Sequence, residues 1–158
     1  MDVLVDRLEM CHSLVFADRL TLEFPTLPLA DLLLSKLQVV KINRKDVVDA
    51  LILLGEYPLS EHDQRGISVP RIVQVTANDW GWRTVTANLD KLRLFHEAEL
   101  QPKELDVGRP LRFDPQVQID ALQTAIDAAP KSTRWKLRAR LGDRVPWYQE
   151  PEEVDHAP

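Results

Sequence analysis

Within KLQVVKINRKDVVD, four basic residues, Lys36, Lys41, Arg44 and Lys45, fall close to two carboxylates, Asp46 and Asp49. Ammonium and guanidinium groups gathered in this way suit recognition of phosphate oxygens. Lys36 is the most informative of them. It lies on the apolar stripe of its helix, where an ammonium is costly unless an anion meets it. The plainer alternative is a capped, solvated junction in which Asp46 and Asp49 pair with Lys45 or Arg44. A second candidate is Asp2 on an opening strand. Carboxylates at strand ends can converge on Mg²⁺, a hard cation that takes oxygen ligands. One carboxylate is not a site, however, and Asp6 lies four residues further on. A third constellation is KSTRWKLRARLGDR, where Lys131, Arg134, Lys136, Arg138, Arg140 and Arg144 surround Trp135 and Leu137. Arg134, Trp135 and Arg138 there suit backbone contact and base stacking with RNA. The competing reading is a last helix that docks Trp135, Leu137 and Leu141 on the body and leaves its arginines in water. Cys11 and His12 are adjacent, so on a strand they face opposite ways and do not share a metal. His62 and His96 have no zinc-like spacing. Trp80 and Trp82 flank Gly81 at a corner and read as packing anchors.

These residues need elements to place them. Val3 and Val5 alternate with Asp2, Leu4 and Asp6, and Leu20, Leu22 and Phe24 alternate with Arg19, Thr21 and Glu23; both are strand patterns. Ser13 to Phe16 could add a short third strand, with Ala17 and Asp18 as a turn. After Pro28 the period becomes helical: Leu29, Leu32, Leu33, Lys36, Leu37 and Val40 share one stripe. Asn43 is an N-cap with Asp46 three residues on, and Gly55 is a C-terminal stop, so two helices are expected over 28–41 and 44–54. Residues 55–67 are polar and turn-rich and suggest a mobile loop. A helix follows Ser68 to about Asn78. Another begins near Asp79 with Trp82, Val85, Leu89, Leu92 and His96 on one face. Asp114-Pro115 opens a fifth helix and Ser132 a sixth, ending near Leu141. The tail from Gln149 is acidic. Strands first and helices afterwards define an α+β chain, with a small antiparallel N-terminal sheet and then a mostly helical bundle.

Composition narrows the classes. The chain has 158 residues, 44% apolar and 28% charged, which excludes bulk disorder. Twenty basic against 25 acidic residues give a net charge of −5, so nucleic acid could be held only by a local basic patch. A single cysteine excludes an internal disulfide framework and fits a reducing compartment. No apolar run reaches the roughly 20 residues that span a bilayer. The opening residues show no signal-peptide pattern, and a cytoplasmic location is expected.

The stretches DVLVDRLEMCH and PTLPLADLLLSKLQVVKINRKDVVDALILL resemble the middle of nucleotidyltransferase-superfamily proteins, in the branch near the abortive-infection toxins of toxin–antitoxin systems. In that family a strand bears a third catalytic carboxylate, and a later helix pair bears a lysine followed by K-D-x-x-D. Asp2, Lys36 and Lys45-Asp46-Val47-Val48-Asp49 match these positions. NDWGWRTVTANLDKLR and APKSTRWKLRARLGDRVPWYQEPEEV resemble the helical remainder of bacterial and archaeal members. The resemblance implies that Asp2 is a metal-associated carboxylate or a base, that Lys36 and Lys45 contact the triphosphate of an NTP, and that Asp46, Asp49 and Arg44 support them. The family's Gly-Ser turn and the Asp-x-Asp pair that follows it have no counterpart here; the sequence contains no Gly-Ser pair. The two-metal clamp on attacking and leaving oxygens therefore lacks most of its carboxylates. The expectation is an incomplete nucleotidyltransferase core over 1–56, a helical domain over 57–148 and an acidic tail over 149–158. Such a chain is inactive alone. With the missing residues supplied, and Mg²⁺ with them, it would transfer NMP from an NTP to a hydroxyl of RNA or protein. An apolar patch on the ribbon and homo-oligomers through its open edge are also expected. The alternative is a non-catalytic helical module that holds RNA or a partner protein through 131–144.

Overall fold

A computed structural model describes residues 6–23, 26–98, 105 and 107–149. The described residues open with a two-stranded antiparallel ribbon, β1 (Arg7–Glu9) and β2 (Ser13–Val15), in the register Leu8 opposite Leu14. Alternation explains its packing: Leu14 and Phe16 are buried, whereas Val15 between them is exposed. The expected α+β order is present, because helices follow: α1 (Leu29–Leu37), α2 (Arg44–Glu56), α3 (Val69–Asn78), α4 (Arg83–Ala98), α5 (Pro115–Ala128) and α6 (Thr133–Ala139). The expected opening strand falls mostly on residues 1–5, outside the described residues, and the described pairing begins at Arg7.

Local chemistry sets the helix ends. Asn43 accepts from the backbone N–H of Asp46 at 2.9 Å and donates through Nδ2 to Asp46 Oδ2 at 2.8 Å. This reciprocal cap starts α2 where the sequence predicts it. Asp114 and Ser132 cap α5 and α6 in the same manner, accepting from Gln116 and Trp135. The C-terminal ends are closed from a distance. Asn88 of α4 donates to Leu37 O and Val39 O, both at 2.8 Å, and Gln118 of α5 donates to Leu54 O and Tyr57 O, both at 2.6 Å. Carbonyls orphaned at helix ends are thus satisfied by side chains of other helices.

Four expectations give way. The helix expected over 28–41 ends at Leu37, where Asn88 takes its carbonyl. Residues 19–23 are not a strand, and Phe24 lies outside the described residues. Arg19 and Leu20 donate backbone bonds to Phe16 O, closing a turn that carries Arg19 into ion pairs with Asp31 and Asp63. Gly55 is not a helix stop, since α2 runs on to Glu56. Its missing Cβ leaves room for Leu111, whose side chain would lie 2.5 Å from one. Residues 55–67 are not an open loop. They hold a short parallel pair, β3 (Leu59–Ser60) with β4 (Ile67–Ser68), and Ile67 is fully buried.

One hydrophobic cluster runs from Leu14 and Phe16 through Leu33, Leu34, Leu37, Leu51 and Leu54 to Ile72, Leu89, Leu92, Ile119 and Leu122. It draws on both sides of residue 56, so the packing has no break at the expected boundary between 1–56 and 57–148. No helix among the described residues is long and apolar enough to cross a membrane.

Candidate functional site

The α1–α2 junction brings the predicted cluster together. Lys36, in the last turn of α1, donates to Asp46 Oδ1 at 2.8 Å and to Asp49 Oδ2 at 2.9 Å. Asp46 and Asp49 stand three apart on α2 and so share a face. The carboxylates therefore pair with Lys36, not with Lys45 or Arg44 as the plain reading supposed. Lys36 is neither on the surface nor in the core: 31% of its side chain is exposed. Burial on its own would lower its pKa, but the hydrogen bonds and attraction of Asp46 and Asp49 outweigh that and raise it above its ordinary value. An ammonium has three donors, and these contacts use two. Arg44 lies over the Phe95 ring, 4.6 Å from its centroid. Lys45 is exposed at the first turn of α2.

The resemblance assigns Mg²⁺ to a group that includes Asp2, and Asp2 lies outside the described residues. Among those described, no three His, Cys, Asp or Glu side chains converge as metal ligands. Asp46 and Asp49 are already committed to Lys36. These residues do not fit a Mg²⁺ site, so no chemistry is derived through one.

The basic C-terminal cluster is divided by the fold. Arg138 is used internally: it donates to Gly142 O at 2.8 Å and Val145 O at 2.6 Å, and stacks over Trp80 at 4.7 Å. Trp135 is half-buried under Lys131, which sits 5.9 Å from its ring centre. Of the three residues predicted for RNA, only Arg134 is open, with 81% of its side chain exposed and a long 3.4 Å contact to Asp79. Leu137 and Leu141 do not dock on the body; they are 56% and 50% exposed. Lys136, Arg140 and Arg144 are exposed, and among the described residues their side chains have no hydrogen-bond or ion-pair partner.

Sequence reasoning missed the hollows around Asp79. This carboxylate caps the turn Trp80–Trp82 by accepting from Gly81 N–H at 2.8 Å. A groove of about 650 Å³ on one side is lined by Arg134, Leu137, Leu141, Pro146 and Trp147. A hollow of about 330 Å³ on the other is lined by Cys11, His12, Trp82 and Tyr148. His12 is buried, bonds Thr84 Oγ1 at 3.0 Å and packs on Trp82 at 5.0 Å between ring centres. Burial lowers its pKa below the ordinary value, and the nearby Asp79 charge opposes this only in part. Arg83 lies 4.8 Å from both Trp80 and Trp147. These residues are spread over positions 11–149, and no short spacing marks them as neighbours.

Comparison with protein-family models, with curated proteins and with solved structures gives no match to this chain.

Proposed function

We propose that the chain is a nucleotidyltransferase-like protein whose α1–α2 junction presents Lys36 to the phosphates of an NTP, with Lys45 and Arg44 flanking. The single observation that carries this is the grip of Asp46 and Asp49 on the Lys36 ammonium, at 2.8 and 2.9 Å. That is the supporting role which the resemblance gives to the K-D-x-x-D carboxylates. A lysine held by two fixed partners is pre-oriented, so little rotamer freedom remains to be lost when a ligand oxygen meets its third donor. Transfer of NMP to a hydroxyl of RNA or protein further needs metal-holding carboxylates such as a Gly-Ser turn and Asp-x-Asp pair would supply.

A transfer screen tests this. Labelled NTP is incubated with RNA and protein acceptors, with the chain as given and with a version extended at its N-terminus by a Gly-Ser/Asp-x-Asp segment. Transfer is expected from the extended version alone, and loss of it on Lys36→Ala. Transfer that survives Lys36→Ala unchanged would refute the role given to the junction. The second reading, a binding module, is favoured by the exposed cations Lys136, Arg140 and Arg144 beside Leu137 and Leu141. In that reading α6 holds RNA or a partner protein in a cytoplasmic setting.

A further inference from the structure

The outward face of α6 and the groove beside it look unfinished. Leu137 and Leu141, one turn apart, expose about half of their surface, although apolar side chains gain by leaving water. Arg134 beside them makes a long 3.4 Å contact to Asp79, and Lys136, Arg140 and Arg144, on and just after the same helix, are exposed. The groove wall is completed by Asp79, Arg138, Pro146 and Trp147, so its one carboxylate faces two guanidiniums. A cover for this face must bring several negative charges and some apolar surface.

The chain continues past Gln149 with a segment of that composition. Gln149 is fixed by its N–H donating to Cys11 O at 3.0 Å, two residues beyond Trp147. Residues 150–158, EPEEVDHAP, lie outside the described residues; their sequence holds Glu150, Glu152, Glu153 and Asp155, no Lys or Arg, and the apolar Val154 and prolines. Nine residues can reach as far as ~30 Å. Tethering makes docking intramolecular, so weak contacts suffice at the high effective concentration a short link gives. We propose that segment 150–158 docks in the α6 groove. Its carboxylates meet Arg134 in the groove and the exposed Lys136 and Arg140 on the same helix, and its apolar residues cover Leu137, Leu141 and Trp147. The segment then shields the same basic face that a polyanionic ligand would use, as a built-in competitor. This is independent of the lysine junction on α1 and α2.

The test uses the full chain with a nitroxide on Ala157→Cys; Cys11 is buried and stays in place. Paramagnetic broadening of backbone amides is read by NMR. The expected result is loss of the Leu137, Leu141 and Trp147 signals while that of Asp120 on α5 survives. The lost signals should return when the segment is neutralised by Glu150→Gln, Glu152→Gln, Glu153→Gln and Asp155→Asn together. Equal broadening at Asp120 and α6, or none at α6, would overturn the proposal. So would broadening that appears only when the nitroxide sits on a different molecule from the observed amides, because the occupant would then be a second copy.

Discussion

Lys36 illustrates how an awkward residue can be explained by its own chain. The spacing of α1 sets an ammonium against the next helix, and α2 meets it with Asp46 and Asp49. That both carboxylates would be needed was legible in KDVVD; that Lys36 would take both was not, because the angle between two helices is absent from a one-dimensional pattern. His12 was illegible for the same reason, since its partners Thr84 and Trp82 lie about 70 residues away. It yields a pH prediction. The folded pKa lies below the ordinary 6.5, so the unfolded chain binds the proton more readily. Stability linked to His12 is therefore fully present above that value and is lost as pH falls from it toward the lowered folded value. Thermal melts at pH 7.5 and pH 5.5 should show this drop, and His12→Gln should flatten it. The groups facing His12 include Asp79 and Cys11, and the contribution assigned to His12 is the part that the variant removes.

Helices were the most legible elements. Apolar stripes and the caps Asn43, Asp114 and Ser132 gave the starts of α2, α5 and α6 to within a residue. Strands were poorly legible, because two- and three-residue pairs carry too little alternation to stand out. Helix ends closed by distant amides were invisible too. Asn88 shows what such a clamp contributes: it satisfies one buried and one part-buried carbonyl at the end of α1. Asn88→Ala is expected to cost about 2 kcal/mol in urea unfolding, since buried polar groups left without partners cost roughly 1–3 kcal/mol. A loss below a few tenths would show that water replaces the clamp. The ribbon edge carries charge. Its strands are three residues long and expose Arg7 and Glu9, which discourage further pairing. Of the expected apolar patch, Val15 is the main exposed member among β1 and β2.

Several elements of the molecule are tied by one carboxylate. Asp31 of α1 is fully buried and accepts from Arg19 at 2.7 Å and Arg71 at 2.9 Å; Arg19 also reaches Asp63, and Arg71 reaches Val15 O. The ribbon, α1, α3 and the turn before β4 are thereby fixed together, across the expected boundary at residue 56. An aspartate inside the apolar run LADLLLSKL was a visible sign of such a partner, though not of its identity. Asp31→Asn keeps the shape but leaves two largely buried guanidiniums short of a counter-charge. It is expected to lose about 3–5 kcal/mol of stability in urea unfolding, the usual result of breaking a buried pair from one side. Conserved melting would mean that Asp63 and Val15 O suffice. The role proposed for Lys36 is checked most directly by isothermal titration of an NTP into the chain and into Lys36→Ala, with circular dichroism to confirm that the variant folds. Affinity should fall about tenfold or more, equivalent to about 1.4 kcal/mol; equal affinity in the two proteins would contradict the phosphate-facing junction.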